Sequence, residues 1–392
     1  MRSPFRILPA ILLTVLVAAG CSGSAALSAD VPIERAQQPI AYTREMPAIA
    51  PPDWAARGQV ITSTDQTSFD MSKLPQGSSA TKMVYRSTSG ITGAPTVVSG
   101  AFFVPPGDAP AGGWPVVSYA HFTSGVSTGC GPTGDKELAG SISFVGGILD
   151  QGYAVAYTDY VGLGEIGAEP KQVHPYLEPK SAAFNVIDAV RAARAVDPDL
   201  SDRWVAVGNS QGGQAAFAAA EYGKEYGDGL QLLGAAAVAP ALDVSHLGNP
   251  TQLTDQQKTV FPLIVMGLAA VDPEVVPSDY LPAGFDETTA CTPGGVEPKE
   301  ASPEAVARLT DRLASYALPQ QPTAVPIAVY YGGNDQLVLP EWTEEALLRA
   351  CELGDTIEAT RVDDAGHELN PGAPLNDWVA ARFAGEPAPS DC

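Results

Sequence analysis

One stretch near the middle of the chain constrains the fold more than any other. Residues 204–207 are apolar and partly β-branched, which predicts a buried strand, and residues 214–225 are rich in Ala and Glu, which predicts a helix. Between them lies Gly208-Asn209-Ser210-Gln211-Gly212, the pattern G-x-S-x-G. A sharp strand-to-helix turn strains the central residue and lifts its hydroxyl clear of the backbone, and small residues two positions away on each side permit that turn. The sequence therefore predicts a tight turn with Ser210 at its tip.

Predicted strands and helices alternate around this turn. An antiparallel pair of strands at 82–88 and 96–105, with a possible first strand at 58–63, precedes apolar strands at 115–120, 153–159 and 232–239. Helices are expected at 142–152 and 181–196, and the pattern returns after residue 322 with strands at 324–331 and 356–362 and helices at 341–351 and 376–383. Such alternation is typical of a mostly parallel sheet with covered faces. We therefore expect an α/β fold.

The chain divides into five predicted segments. Residues 1–20 have a basic start, and the apolar run at 7–19 is too short for a membrane span, so they predict a signal peptide. Residues 18–22 resemble a bacterial lipobox, with Cys21 as the lipidated residue; a soluble secreted form with an incidental Cys is the alternative. A Pro- and Ser-rich tether is expected at 21–52, the core at 53–240 and 323–392, and an inserted helical cap at 241–322.

Charge and cysteine content narrow the possible partners. The formal net charge of −23 argues against nucleic acid and anionic membranes as electrostatic partners, so a lipid anchor would be the means of membrane association. Without Cys21 the cysteines are Cys130, Cys291, Cys351 and Cys392, which predict two disulfides in an exported chain, with three possible pairings. The sequence contains no C-x-x-C, no zinc-type spacing and no nucleotide motif, so neither a metal nor another cofactor is expected.

Candidate partners for Ser210 come from the ends of later strands. A serine hydroxyl needs a base to take its proton, and the base needs an acid to orient it. His367 follows the last predicted strand and Asp335 follows the strand before it, which gives the order Ser, Asp, His. Asp363 and Asp364, on the same loop as His367, are alternatives for the acid, while Asp243 and Asp272 are less favourable because the cap would have to deliver them.

A site of this kind also needs two N–H groups to bind an oxyanion. The first is expected from the backbone of Gln211, next after the serine, and the second from Phe122 or Thr123, in the loop after the strand at 115–120. His121 and His174 are interpreted as residues that shape loops.

Several separated motifs together resemble the secretory lipase family of the α/β-hydrolase superfamily. The matching stretches are Tyr85-Arg86-Ser87-Thr88 with Val98-Ser99-Gly100, Tyr119-Ala120-His121 with Gly125, Asp159-Tyr160-Val161-Gly162-Leu163-Gly164, His174-Pro175-Tyr176-Leu177 and Gly208 to Gly213. The resemblance implies an α/β-hydrolase fold with a helical cap, a triad of Ser210, Asp335 and His367, and hydrolysis of carboxylic esters. It also implies pairing of Cys130 with Cys291 and of Cys351 with Cys392. The chain departs from the family at Phe122, where such proteins often have Gly.

The expected function is that of an exported serine esterase or lipase acting on a small-molecule or lipid ester, held on the outer side of the cell membrane by its anchor or secreted. The same residues also suit a serine acyltransferase or peptidase. An alternative from another class is a non-catalytic, lipid-anchored binding protein on the same fold.

Overall fold

The computed structural model describes residues 33–34, 42–65, 68–166, 171–283, 285, 291 and 296–392. The chain divides into residues 1–31 and residues 32–392, and everything described belongs to the second unit. The predicted signal peptide and Cys21 lie outside the described residues. None of the helices within the described ranges has both the length and the apolar character that crossing a bilayer requires.

A nine-stranded sheet organises the second unit, in the order β11-β10-β9-β8-β5-β6-β4-β3-β2. Strand β5 pairs in parallel with β6 on one side and with β8 on the other, and β9, β10 and β11 continue from β8 in parallel. Beyond β6, strands β4, β3 and β2 complete the sheet with antiparallel pairing. The nine strands are β2 Val60–Asp65, β3 Ser79–Thr88, β4 Pro95–Val104, β5 Trp114–Ala120, β6 Ala154–Thr158, β8 Leu200–Asn209, β9 Gln231–Val238, β10 Ile327–Gly332 and β11 Ile357–Val362. Two short strands, β1 Ile33–Glu34 and β7 Lys171–Gln172, pair in parallel as a separate sheet. The predicted mostly parallel α/β fold is confirmed.

Helices cover both faces of this sheet. The α-helices among the described residues are α1 Pro51–Ala55, α2 Ile142–Asp150, α3 Pro179–Val196, α4 Gln211–Tyr226, α5 Asp255–Val271, α6 Pro303–Tyr316, α7 Pro340–Leu353 and α8 Ala373–Ala384, and those on the sheet are α2, α3, α4, α7 and α8. One core joins the sheet to α3, α4 and α7, and another joins it to α2 and α8. Val116 of β5 belongs to the first core and Val117 to the second, because successive side chains of a strand point to opposite faces. Burial on both faces explains why the central strands are continuous apolar runs in the sequence.

Residues 241–322, which the sequence assigns to a cap, interrupt the chain between β9 and β10. Their helices α5 and α6 share a third core, which includes Phe261 and Leu309. Val126, from the loop after β5, and Tyr176, from the loop after β6, belong to the same core. The segment therefore packs on loops that leave the carboxyl ends of the sheet.

The described part of the predicted tether is bound to the folded body. The ammonium of Lys180 on α3 donates to the carbonyl oxygens of Thr43 and Glu45 at 2.5 and 3.0 Å. The Tyr222 hydroxyl on α4 donates to the Arg44 carbonyl at 3.0 Å. Residues 42–50 thus lie along the α3–α4 layer.

Two disulfides are formed, Cys130–Cys291 and Cys351–Cys392. This is the pairing that the family resemblance implies. The first bond joins the loop after β5 to the segment between β9 and β10, and the second joins the end of α7 to the last residue of the chain.

Candidate active site

Ser210 occupies the turn between β8 and α4 with φ 58° and ψ −117°. A Cβ atom on Gly212 would lie 1.9 Å from the carbonyl oxygen of Ala120, and one on Gly208 would lie 2.0 Å from the carbonyl oxygen of Gly212. Both positions therefore require glycine, since any side chain would collide with backbone. The structure has the strand, tight turn and helix that the sequence predicts.

The side chains of Ser210, His367 and Asp335 form one hydrogen-bonded chain. Ser210 Oγ lies 2.8 Å from His367 Nε2, and His367 Nδ1 lies 2.7 Å from Asp335 Oδ2. This geometry fits a proton on His367 Nδ1 that is donated to the Asp335 carboxyl oxygen, which leaves Nε2 to accept from the serine hydroxyl. The three side chains meet because Ser210, Asp335 and His367 follow β8, β10 and β11, whose carboxyl ends lie at one edge of the sheet.

Asp335 is itself held from the side away from His367. Its Oδ1 accepts from the backbone N–H groups of Leu337 and Val338 at 2.8 and 3.0 Å, and the residue is 2% exposed. The carboxylate therefore has a fixed position from which to orient the imidazole.

The alternative acids lie elsewhere. Asp363 pairs with Arg361 at 3.0 Å, and Asp364 is exposed on the loop before His367. Asp243 pairs with Arg349 at 3.1 Å, and Asp272 pairs with Arg312. Of the five candidates, Asp335 is the one hydrogen-bonded to His367.

Gln211 is held by a buried histidine. As the first residue of α4 it has an N–H group without an intrahelical acceptor, as an oxyanion donor requires. Its side-chain Nε2 lies 2.6 Å from His174 Nε2, and His174 Nδ1 lies 2.9 Å from the Val161 carbonyl oxygen. Burial, above all, lowers the pKa of His174 to about 3. The imidazole is therefore neutral, with Nδ1–H donating to Val161 and Nε2 accepting from the Gln211 amide.

Phe122 and Thr123 come from the loop that follows β5. The Phe122 carbonyl accepts from His121 Nδ1 at 2.6 Å, and the hydroxyls of Thr123 and Tyr176 lie 2.6 Å apart. The sequence does not predict this link from Tyr176 to the loop, although Tyr176 lies in the motif His174-Pro175-Tyr176-Leu177. Phe122 and Thr123 line the same cavity as Ser210. That one of these two residues donates its N–H to an oxyanion stays a prediction.

The cavity over Ser210 has a volume of about 280 Å³ and is also lined by His367, Phe122 and Thr123. That volume is close to the lower end of the range for ligand pockets, roughly 300–1,000 Å³. Val260 and Leu263 of α5 and Leu337 give it an apolar wall. The start of α5 is tied to the Asp335 loop, because Thr254 Oγ1 donates to the Gln336 carbonyl at 2.7 Å. The segment between β9 and β10 thus completes the pocket.

Within the ranges that the structure describes, no group of three or more His, Cys, Asp or Glu side chains is arranged to hold a metal ion.

Comparison with known proteins agrees with the motif-based resemblance. The secretory lipase family model matches residues 139–278. A probable inactive lipase of Mycobacterium tuberculosis (strain CDC 1551 / Oshkosh) is 29% identical over 207 residues, which are 49% of this chain and 44% of the relative. The match thus spans less than half of that relative's length. The predicted resemblance to secretory lipases is confirmed.

Solved structures share the fold. Candida antarctica lipase A in its closed state superposes with a TM-score of 0.71 at 17% identity, covering 85% of this chain and 84% of that one. A ligand-bound form of the rice cell wall degrading esterase LipA from Xanthomonas oryzae gives a TM-score of 0.62 at 20% identity, covering 84% and 95%. The α/β-hydrolase fold is therefore shown. The similarity to the secretory lipase family and the two disulfides indicate export.

Proposed function

We propose that this protein is a serine carboxylic-ester hydrolase of the carboxylesterase or lipase type, with Ser210, His367 and Asp335 as its catalytic triad. The observation that carries the proposal is the continuous chain of hydrogen bonds, 2.8 and 2.7 Å long, from the Ser210 hydroxyl through His367 to Asp335. Ser210 and His367 line one cavity that an ester can enter.

In the proposed mechanism His367 Nε2 takes the hydroxyl proton as Ser210 Oγ attacks the ester carbonyl carbon. Asp335 stabilises the imidazolium that forms. The Gln211 N–H and one N–H from Phe122 or Thr123 bind the oxyanion, and loss of one such donor lowers kcat by about 10²–10³-fold in known enzymes. His367 then protonates the leaving alcohol, and a water activated by the same imidazole releases the acid from Ser210.

The apolar wall of Val260, Leu263 and Leu337 favours a small-molecule or lipid ester with an apolar acyl group. No cofactor enters this mechanism. We further propose that the mature chain begins at a lipidated Cys21 and acts on the outer side of the cell membrane.

Hydrolysis of a p-nitrophenyl ester series from acetate to palmitate tests the proposal. Ser210→Ala should lower kcat by roughly four to six orders of magnitude, because the attacking oxygen is gone. Ser143→Ala, which alters an exposed serine on α2, is the matched control and should keep wild-type activity. Undiminished turnover by Ser210→Ala would show that the site is wrongly assigned.

A second candidate is a non-catalytic binding protein, which the name of the M. tuberculosis relative favours. A fluorophosphonate probe separates the two, because it reacts only with an activated serine. We expect covalent labelling of Ser210, detected by peptide mass spectrometry. A folded protein that is neither labelled nor able to turn over any ester would favour the binding protein.

A further inference from the structure

The motif at residues 174–177 has no part in the proposed reaction, yet it contacts both halves of the proposed oxyanion hole, which are the Gln211 N–H and an N–H of the loop after β5. His174 Nε2 lies 2.6 Å from the side-chain nitrogen of Gln211. The Tyr176 hydroxyl lies 2.6 Å from the hydroxyl of Thr123 in the loop after β5. Residues 174–177, called the 174–177 segment below, therefore join the two stretches of backbone that have to supply the donors.

The 174–177 segment is itself held from three sides. Its first N–H group donates to the Val126 carbonyl at 2.8 Å, and the Gln214 side chain of α4 donates to its last carbonyl, that of Leu177, at 3.1 Å. Helix α5 packs directly on the segment, because a Cβ atom on Gly267 would lie 2.7 Å from one of its backbone nitrogens. The segment can therefore serve as a fixed support for the groups that contact it.

The same segment contains backbone strain. Leu177 has φ 64°, a left-handed conformation that a leucine rarely adopts and that persists only where the surroundings hold it. Residues in such conformations cluster at functional sites. The strain at Leu177 therefore points, independently of the contacts with Gln211 and Thr123, to a functional role for the 174–177 segment.

Burial determines what the Tyr176 hydroxyl does. The residue is 4% exposed, and burial raises the pKa of Tyr176 to about 12, so the phenol keeps its proton. A buried hydroxyl proton needs an acceptor, and the Thr123 hydroxyl oxygen lies within hydrogen-bond distance. Tyr176 thus donates to Thr123, which ties a residue that lines the cavity over Ser210 to the buried segment.

The backbone of the loop after β5 is fixed by other buried groups. The His121 carbonyl accepts from the Tyr160 hydroxyl at 3.1 Å, and the Phe122 carbonyl accepts from His121 Nδ1 at 2.6 Å. In a trans peptide the N–H points opposite to the C=O, so the N–H groups of Phe122 and Thr123 point away from these buried donors. The bond from Tyr176 completes this arrangement, because it holds the loop through a side chain as well as through its carbonyls.

We propose that Tyr176 is a positioning residue, which holds Thr123 and the adjoining N–H groups where the oxyanion forms, as His174 holds Gln211 on the opposite side. This inference rests on the proposed ester hydrolysis and adds a residue that keeps its oxyanion donors in place. Negative charge develops on the carbonyl oxygen only as the serine attacks, so a misplaced donor weakens the transition state more than the bound ester. Loss of the Tyr176 hydroxyl should therefore lower kcat and leave KM nearly unchanged.

Tyr176→Phe tests the proposal, because it removes one oxygen and keeps the ring in its core. On p-nitrophenyl butyrate we expect kcat to fall by about 10- to 50-fold and KM to stay within about twofold. Tyr280→Phe is the matched control, since the Tyr280 hydroxyl lies in the same core and donates instead to the Ala305 carbonyl of α6 at 2.8 Å. Its kinetics should be those of the wild type.

A double-mutant cycle with Thr123→Val tests whether the two hydroxyls act together. If Tyr176 acts through Thr123, the double variant should lose no more kcat than the larger of the two single losses, because the second substitution removes a bond that is already broken. Thr123→Ser, which restores an acceptor hydroxyl, should recover most of the kcat that Thr123→Val loses.

The positioning role is overturned, while the proposed function stands, if Tyr176→Phe keeps its kcat, if Tyr280→Phe loses as much, or if the losses multiply in the double variant. If the wild type hydrolyses no ester and a fluorophosphonate does not label Ser210, the proposed function fails instead. Amide hydrogen exchange of peptides covering residues 121–126, followed by mass spectrometry, then tests the contact alone. Faster exchange in Tyr176→Phe than in the wild type and Tyr280→Phe would still show that Tyr176 holds the loop, and equal exchange in all three would overturn it.

Discussion

Ser210 stores backbone strain at the position where the proposed reaction takes place. A non-glycine residue in such a conformation costs roughly 1–3 kcal/mol and persists only where its surroundings hold it. Here the Ser210 N–H donates to the Val238 carbonyl at 2.8 Å, and the Ser210 carbonyl accepts from Gln214 at 3.1 Å and from Ala241 at 3.3 Å. These bonds tie the serine to the end of β9 and to the first turn of α4, so its hydroxyl stays aimed at His367.

His174 contacts Gln211, the residue that we propose as an oxyanion donor. Because its Nε2 is the acceptor for the Gln211 side chain, we expect His174→Ala to release Gln211 and to lower kcat by about 10- to 100-fold, with KM within about twofold. The expected loss is smaller than that from deleting an oxyanion donor, since the Gln211 N–H remains. Steady-state kinetics on a p-nitrophenyl ester measures both constants.

The conservative variant His174→Gln should recover most of kcat, because its side-chain oxygen can accept from Gln211 where the imidazole nitrogen did. His246→Ala removes a histidine stacked on Trp342 at 4.9 Å and serves as the control, with wild-type kinetics. An unchanged kcat in His174→Ala, or equal losses in the Ala and Gln variants, would contradict a positioning role.

At the scale of elements, the C-terminal tail protects the edge of the sheet. β11 is the outermost strand on its side, and Asp391 pairs with it through N–H to the Ile357 carbonyl at 2.7 Å and through Oδ2 to the Ala359 N–H at 2.7 Å. Cys392 then bonds to Cys351 at the end of α7. The tail is thus held on both sides, and it covers N–H and C=O groups that an open edge would leave unpaired.

Removal of the Cys351–Cys392 disulfide should lower the stability of the folded protein and leave the rate of turnover nearly unchanged. In Cys351→Ser/Cys392→Ser a loop closed across 41 residues is released, which lowers the free energy of unfolding by about 2–4 kcal/mol. Turnover should stay within about twofold, because the tail pairs with the start of β11 and His367 follows its end. Denaturant unfolding and ester kinetics on the same preparations measure the two quantities; a large loss of kcat in folded protein would refute the separation.

At the scale of the whole molecule, a buried polar cluster joins the antiparallel part of the sheet to the helical layer. Asp188 of α3 is fully buried and accepts from the hydroxyls of Ser87 on β3 and Tyr226 on α4 at 2.8 and 2.7 Å. Arg191 lies 3.5 Å from its other oxygen. Burial outweighs these partners and raises the pKa of Asp188 from 3.8 to about 6.

This raised pKa predicts a pH dependence of stability with a definite sign. Between pH 4 and 6 the native protein binds more protons at Asp188 than the unfolded chain does, so its contribution to stability is lost as pH rises through that window. The stability of the wild type minus that of Asp188→Asn should therefore fall by about 2 kcal/mol from pH 4 to pH 7. Urea unfolding at a series of pH values measures it.

Asp228 provides a control with the opposite sign. Burial tends to raise its pKa, but hydrogen bonds from Arg57 and Arg191 outweigh burial and lower it. The corresponding difference for Asp228→Asn should not fall over the same pH range. If the stability of the wild type minus that of Asp188→Asn stays constant or rises with pH, the pKa of Asp188 is not raised in the folded protein.

The sequence alone determined the pattern of elements and the position of Ser210. Both depend on local sequence. Burial on two faces makes β5, β8 and β10 apolar runs, and the turn has the pattern G-x-S-x-G because a side chain at Gly208 or Gly212 would collide with backbone. The order of strand ends also placed Asp335 and His367 at the correct edge, because the carboxyl ends of parallel strands converge. The strand limits could be predicted to within a few residues, because the buried strands are apolar runs in the sequence.

Only the tertiary structure decided among candidates that share the same local signal. Asp335, Asp363 and Asp364 all follow strands, and they differ in that Asp335 reaches His367 Nδ1, Asp363 pairs with Arg361 and Asp364 is exposed. The contact of His174 with Gln211 joins residues 37 positions apart. The pairing of the cysteines likewise depends on how distant segments meet. Such contacts are set by packing across the whole chain, which periodicity and turn chemistry do not encode.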